Sequence, residues 1–196
     1  MGIKKIRKTD IFWRYKIPNL ITVCVDTREK FPLLFPEIIR IGHPELTYKM
    51  IPIQVVVKRI ALPCGDYMLE EFPAECIVER KASQLEIYKN LNESHDRIRQ
   101  AKAFRKLVAS CEHPVLLVEA SPQELFAKDP HIKNPEIVAH RLSLAIAKYG
   151  FHVIFLPWKS RCANTRRKAG HLLLHLMMGY VLQKTFSVPP VLLEEK

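Results

Sequence analysis

Apolar residues fall into two periods along this chain, one suited to strands and one suited to helices. ITVCVD (21–26) is a compact β-rich run, which places Asp26 at a strand's carboxyl end. The following TREKFPLLFPE is broken by Pro32 and Pro36 and reads as a loop. IPIQVVVKRIAL (51–62) is a second run, rich in β-branched residues. Pro63 and Gly65 turn the chain into DYML, and ECIVER (75–80) follows, so the intervening EEFP predicts a hairpin with a longer loop.

From Ala82 the period changes. Leu85, Tyr88 and Leu91 recur at three-residue spacing, and Ile98, Ala101, Phe104, Leu107 and Val108 mark a second helix. PVLLVEA (114–120) is a continuous apolar run of the kind found in a sheet covered on both faces. In NPEIVAHRLSLAIAKYG, Asn134 suits a cap, Pro135 the first turn and Gly150 the end. FHVIFLP (151–157) reads as a strand, and residues from about Ser160 to Lys184 as one long helix apolar on more than one side. Strands first and alternation afterwards predict an α/β fold, a mixed central β-sheet flanked by helices on both faces. No repeat or linker divides the chain, so one domain is expected over 20–185, between a basic arm (1–19) and a tail (186–196).

Charge narrows the function. Thirty-one Lys and Arg against 20 Asp and Glu leave a net charge of +11, which favours a polyanionic partner, nucleic acid above all. The arm sets Lys4, Lys5, Arg7, Lys8, Arg14 and Lys16 around Phe12, Trp13 and Tyr15; it reads either as a nucleic-acid arm or as a frayed terminus. The five cysteines are scattered and form no CxxC pair, which argues against a disulfide framework and a zinc site and suits a reducing compartment. The amino-terminal stretch lacks the apolar run of a signal peptide, and HLLLHLMMGYVL is too short to span a bilayer. A soluble, cytoplasmic protein with no membrane partner is the expectation.

Candidate chemistry gathers at IVERK. On a strand, Glu79 and Lys81 share one face and Arg80 points to the other. Asp66 opens the partner strand of the hairpin, and Asp26 ends the first strand. Carboxylates are hard ligands suited to Mg²⁺, which can lower the pKa of a bound water and offset charge on a phosphate. A lysine at that edge either orients or deprotonates the attacking water or stabilises the phosphate, and the residues alone leave both roles open. Taken singly, E-x-K is an ordinary ion pair and GD ordinary turn chemistry; the constellation is more specific than its parts.

DTRE (26–29), LPCGDYML (62–69) and IVERKAS (77–83), in this order and spacing, resemble the nuclease domain of the XPF family of structure-specific DNA endonucleases. The likeness continues through RIRQAKAFRKL and PVLLVEA and covers roughly residues 20 to 185. It implies the restriction-endonuclease-like sheet of the PD-(D/E)xK group. It also implies metal-binding carboxylates at Asp26, Asp66 and Glu79, a catalytic Lys81, an Arg80 that fixes the site or a phosphate, and Glu29 as the acid of the opening motif beside Arg28. Glu119 is a further acid where family members often carry one. The implied cofactor is Mg²⁺, with Mn²⁺ as substitute.

Two departures qualify the likeness. The family's last aspartate, four residues after the lysine, is replaced by Leu85; Glu86 stands next to it, turned about 100° away on a regular helix. The chain also resembles the free-standing nuclease domains of phages, bacteria and archaea, so the nuclease surface itself must hold the DNA. Arg99, Lys102 and Lys106 at i, i+3 and i+7, with Arg97 and Arg105 nearby, supply a basic helical face for phosphates. The family likeness further implies a homodimer through the C-terminal helical region. The expected function is metal-dependent endonucleolytic cleavage of branched or flap DNA, the alternative a non-catalytic DNA-binding subunit or scaffold.

Overall fold

A computed structural model of the chain describes residues 18–42, 50–157 and 162–186. Its elements in chain order are β1 (Leu20–Asp26), β2 (Ile38–Gly42), β3 (Met50–Ile60), β4 (Tyr67–Leu69), β5 (Cys76–Lys81), α1 (Gln84–Asn92), α2 (Ser94–Ser110), β6 (His113–Val118), α3 (Pro122–Leu125), α4 (Glu136–Tyr149), β7 (His152–Phe155) and α5 (Ala163–Phe186). The strands form one seven-stranded sheet in the order β2-β3-β1-β4-β5-β6-β7. β1 runs parallel to β3, and β5, β6 and β7 run parallel to one another, whereas β4 is antiparallel to both β1 and β5. β1, β3, β5, β6 and β7 therefore point one way and share a carboxyl edge, and β4 starts from that same edge. The mixed, helix-flanked sheet agrees with the pattern of the sequence.

Alternation of side chains sorts the core into two layers. Ile21, Val23, Val25, Tyr67, Val78, Val115 and Leu117 pack under α5. α5 contributes Leu173, Leu174, Met177, Met178 and Val181, each at 1% exposure or less, and each such burial contributes ~1.5–3 kcal/mol. Most of that helix's apolar excess thus lies in the core. The opposite face sets Ile77, Leu116 and Val118 against Ile87 of α1, Phe104 and Leu107 of α2, and Val138 and Leu142 of α4.

Local signals mark the ends of α4. Pro135, not Asn134, sits at the N-cap without a side-chain cap, one residue later than read, although Asn134 Oδ1 accepts the amide of Glu136 (3.0 Å) just before the helix. Gly150 ends α4 as expected in a left-handed conformation (φ 67°). Two glycines are required by close approach. Gly65 has φ +68°, and a Cβ there would collide with Ile77. Gly170 of α5 lies against the backbone of Leu34, so the 27–37 loop rests directly on the helix.

Two elements depart from the pattern reading. β2, with Ile39 and Ile41 buried, carries no legible pattern because five residues of edge strand directly after a proline-broken loop give too short an alternation. α3 is a four-residue turn capped by Ser121 and Glu124, below the length at which periodicity is visible. The arm over residues 1–17 and the tail over 187–196 lie outside the described residues. Among the described residues no helix is long and apolar enough to cross a membrane.

Candidate active site

The hairpin of β4 and β5 places the acids. Gly65 turns the backbone so that Asp66 N donates to Val78 O (2.7 Å) while Asp66 O accepts from Asp26 N (2.9 Å). Asp66 is thereby stitched into β5 on one side and β1 on the other. Its Oδ2 accepts the Arg80 amide (2.7 Å), and Oδ1 takes no hydrogen bond among the described residues. Burial first, and the neighbouring Glu79 carboxylate second, push its pKa up to about 7.

The pleat of β5 assigns its three charges as alternation requires. Lys81 Nζ donates to Glu79 Oε1 (2.7 Å) on the α1–α2 face. Arg80 turns to the α5 face, where Nε and Nη2 both bond Glu119 and Nη1 bonds Glu29 Oε1 (2.8 Å). Glu119, just beyond β6, and Glu29, in the loop after β1, are thus partners of Arg80. Burial works against the Arg80 charge, and the two carboxylates outweigh it, raising its pKa.

Asp26 is wholly buried and fully engaged. Oδ1 accepts the amide and Nε of Arg28 (2.7 Å each), and Oδ2 accepts Arg28 Nη2 (2.7 Å) and the Leu62 amide (2.8 Å). Chiefly through Arg28, its pKa falls to about 2. Of the three expected metal ligands, Asp66 and Glu79 lie together on one face with oxygens to spare, and Asp26 is held by Arg28.

Lys81 is 5% exposed. Burial disfavours its charge, but Glu79 and Glu86 outweigh that and raise its pKa, so it stands as an ammonium ion. Its Nζ also donates to Gln100 Oε1 of α2 (3.1 Å), and Glu86 Oε1 lies at 3.6 Å. Glu86 therefore does not point away as a regular helical wheel suggests. It occupies the first turn of α1, where its Oε2 accepts the Ala82 amide (2.8 Å) and its own amide donates to Ser83 Oγ (3.2 Å). This reach back across the helix start carries the carboxylate towards Lys81. Leu85 packs instead against the apolar layer under α1.

Gln100 and Glu86 were missed as site residues. Glu86 carried a signal in the S-x-x-E spacing of a capping box, and Gln100 in being a polar residue on the inward stripe of Phe104 and Leu107.

Six carboxylates (Asp26, Glu29, Asp66, Glu79, Glu86 and Glu119) gather here around Arg28, Arg80 and Lys81, an acid excess within a chain of net charge +11. Among the described residues no three His, Cys, Asp or Glu side chains converge closely enough to enclose an ion. Mg²⁺ needs no such cage: one or two carboxylates with waters satisfy it, and Asp66 with Glu79 fits that donor set.

The expected nucleic-acid contacts are exposed. Arg28 has a side-chain exposure of 72%. Arg97, Arg99, Lys102, Arg105 and Lys106 all reach solvent from α2. At about 100° per residue, Arg99, Lys102 and Lys106 form one stripe opposite the buried Gln100, Phe104 and Leu107. Arg105 flanks it, and Arg97 lies nearer the buried side. Arg99 is partly neutralised by Asp96 (2.9 Å). A second basic group, Arg167 and Lys168 with His171, lines a shallow cleft beside Phe35, Pro36 and Glu37.

Comparison with known proteins adds family membership. The family model described as the ERCC4 domain matches residues 25–165, a stretch that holds every acid and base of the site. The chain is similar to the solved XPF from Aeropyrum pernix, with 17% identity and a TM-score of 0.49 over 89% of this chain and 67% of that one. It is also similar to XPF from Aeropyrum pernix in complex with DNA, with 20% identity and a TM-score of 0.48 over 83% and 73% of the two chains. No curated protein matches the chain.

Proposed function

The chain belongs to the ERCC4 domain family, a membership that supports DNA binding and nuclease chemistry, and from that premise we propose that it is a metal-dependent DNA endonuclease. It hydrolyses phosphodiester bonds, with branched, flap or junction DNA as substrate. The observation that carries this reading is the meeting of Asp66, Glu79 and Lys81 on one face of the sheet at its carboxyl edge.

Asp66 and Glu79 would hold Mg²⁺, or Mn²⁺ in its place, which when bound supplies a water of lowered pKa and offsets charge on the phosphate. Lys81, an ammonium ion with three acceptors around it, acts as a fixed positive charge towards a phosphate oxygen rather than as a base. Arg80 acts on the site from behind: its amide orients Asp66, and its guanidinium ties the β5 edge to Glu119 and Glu29. Arg28 and the α2 stripe meet the DNA backbone without reading sequence. We also propose pairing of two copies through α5, where Leu172 is 56% exposed.

The test is cleavage of labelled flap, fork and duplex DNA with Mg²⁺, Mn²⁺ or chelator, beside Asp66→Asn and Lys81→Ala. Cutting by the wild type alone, abolished by chelator, is the expected result. Binding without cutting in either metal would make the protein a non-catalytic DNA-binding subunit or scaffold instead.

A further inference from the structure

Gln100 is a polar side chain where the packing of α2 calls for an apolar one. It is 5% exposed and shares the helix's inward stripe with Phe104 and Leu107, at 2% and 1%. A buried amide is destabilising unless both of its ends are hydrogen-bonded. Both ends here find partners inside the site: Oε1 accepts from Lys81 Nζ (3.1 Å), and Nε2 donates to Glu79 Oε1 (3.3 Å). The chemistry permits one orientation of the amide. Reversed, it would set N–H groups against an ammonium and a carbonyl against a carboxylate.

Lys81 needs such a holder. Its ammonium ends a flexible four-carbon stem and has three donors to place. Glu79 takes one (2.7 Å) and Gln100 another (3.1 Å), and Glu86 adds an ion pair at 3.6 Å. Glu79 and Lys81 come from one strand, but Gln100 comes from α2 and Glu86 from α1. The cradle therefore exists only when both helices are docked on the sheet.

We infer that Gln100 is a positioning residue, with Glu86 as its second arm, and that together they fix the Lys81 ammonium relative to Glu79. The inference rests on the nuclease reading above and adds to it two residues that none of the three motifs contributes. It also gives α2 two roles at once. Its outer stripe of Arg99, Lys102 and Lys106 meets phosphate, while its inner face holds the lysine, so DNA docking and the site's geometry are set by one rigid element.

The experiment uses the full chain with Gln100→Leu and Gln100→Glu, each read two ways. The first is NMR of the lysine NH₃⁺ groups, in which a held, ion-paired ammonium gives a slowly exchanging signal assigned by its loss in Lys81→Arg. The second is kcat and KM on a labelled flap DNA in Mg²⁺, with the DNA Kd measured in chelator. Gln100→Leu removes the hydrogen bonds to Lys81 and to Glu79, so the Lys81 ammonium is no longer held and its slowly exchanging signal is lost. With it kcat falls roughly 10²-fold, as expected for a misplaced catalytic group, while KM and Kd stay within about twofold. Gln100→Glu keeps an acceptor for Lys81 and retains the signal, but it opposes Glu79 with like charge and lowers kcat less. Glu86→Gln lowers kcat by a smaller factor without changing Kd.

An unaltered Lys81 signal, or wild-type kcat, in Gln100→Leu overturns the inference. So does a change confined to KM or Kd, which would assign Gln100 to DNA binding. If Gln100→Leu does not fold, Gln100→Asn shortens the arm by one methylene, keeps the polarity and carries the same expectations. A wild type that cuts nothing while its Lys81 signal still depends on Gln100 removes the nuclease reading and leaves the positioning role standing.

Discussion

Arg28 closes over Asp26 in a two-pronged grip, Nε on one carboxylate oxygen and Nη2 on the other, both at 2.7 Å. The acid beneath is wholly buried, whereas the arginine is exposed along most of its length. Asp26 can therefore turn towards an ion only when Arg28 leaves, and a DNA phosphate is the natural competitor for that guanidinium. Arg28→Ala should tighten Mn²⁺ binding by the DNA-free protein and weaken its DNA affinity. Calorimetry with Mn²⁺ and fluorescence anisotropy with a flap oligonucleotide measure the two changes.

The same pair gives a pH dependence. Arg28 lowers the Asp26 pKa from its ordinary value to about 2, so the stabilisation is complete above pH ~4 and is lost as pH falls towards 2. In chelator, acid unfolding followed by circular dichroism should begin at higher pH in Arg28→Ala than in the wild type. Coincident curves would show that the ion pair contributes nothing to acid stability.

Gly65→Ala tests the turn that presents Asp66. The left-handed backbone alone costs about 1–2 kcal/mol in a residue with a Cβ, and the collision with Ile77 adds to it. Urea unfolding should report a destabilisation above that range, and cleavage should fall with it because Asp66 is displaced.

Arg80→Met leaves the buried Glu119 carboxylate and the partly buried Glu29 carboxylate without their cation. Removing one partner of a buried ion pair destabilises by roughly 3–5 kcal/mol, and urea melts should show a change of that order. DNA affinity of the folded variant should be unchanged, since Arg80 faces α5 and not the α2 stripe.

Replacing Arg99, Lys102 and Lys106 together by Ala should weaken binding to all DNA structures alike. The slope of log K against log salt should flatten by about 0.9 for each phosphate that the protein no longer neutralises. Anisotropy titrations across a KCl series measure it; an unchanged slope would show that the stripe faces only solvent.

Pairing through α5 predicts a dimer in sedimentation at micromolar concentration that Leu172→Glu converts to monomer. A wild type that sediments only as monomer removes the dimer.

Much of the architecture was legible because the signals that carry it are local. Val78, Glu79, Arg80 and Lys81 alternate between faces in any strand, so the separation of Arg80 from Glu79 and Lys81 followed from a period of two. Gly150 ended α4 as the chemistry of helix ends requires, and Asn134 with Pro135 placed its start to within one residue. β2 and α3 escaped because five and four residues carry too little periodicity to stand out from a loop.

The site's partners obey a different rule. Arg80 meets Glu119 across 39 positions of chain and Glu29 across 51, and Lys81 meets Gln100 across 19. Such pairs depend on strand order, on the docking of α2 over β6 and on the path of the loop after β1, none of which a local pattern encodes. Glu86 is the instructive intermediate. Its cap was written in the spacing from Ser83, but its approach to Lys81 required α1 to start where β5 ends. The residue types and their alternation settled which groups could share a face, because those follow from backbone geometry alone. Which of them touch, and that Arg28 holds Asp26 while Gln100 holds Lys81, was decided by packing, because hydrogen bonds between distant segments form only once the layers are assembled.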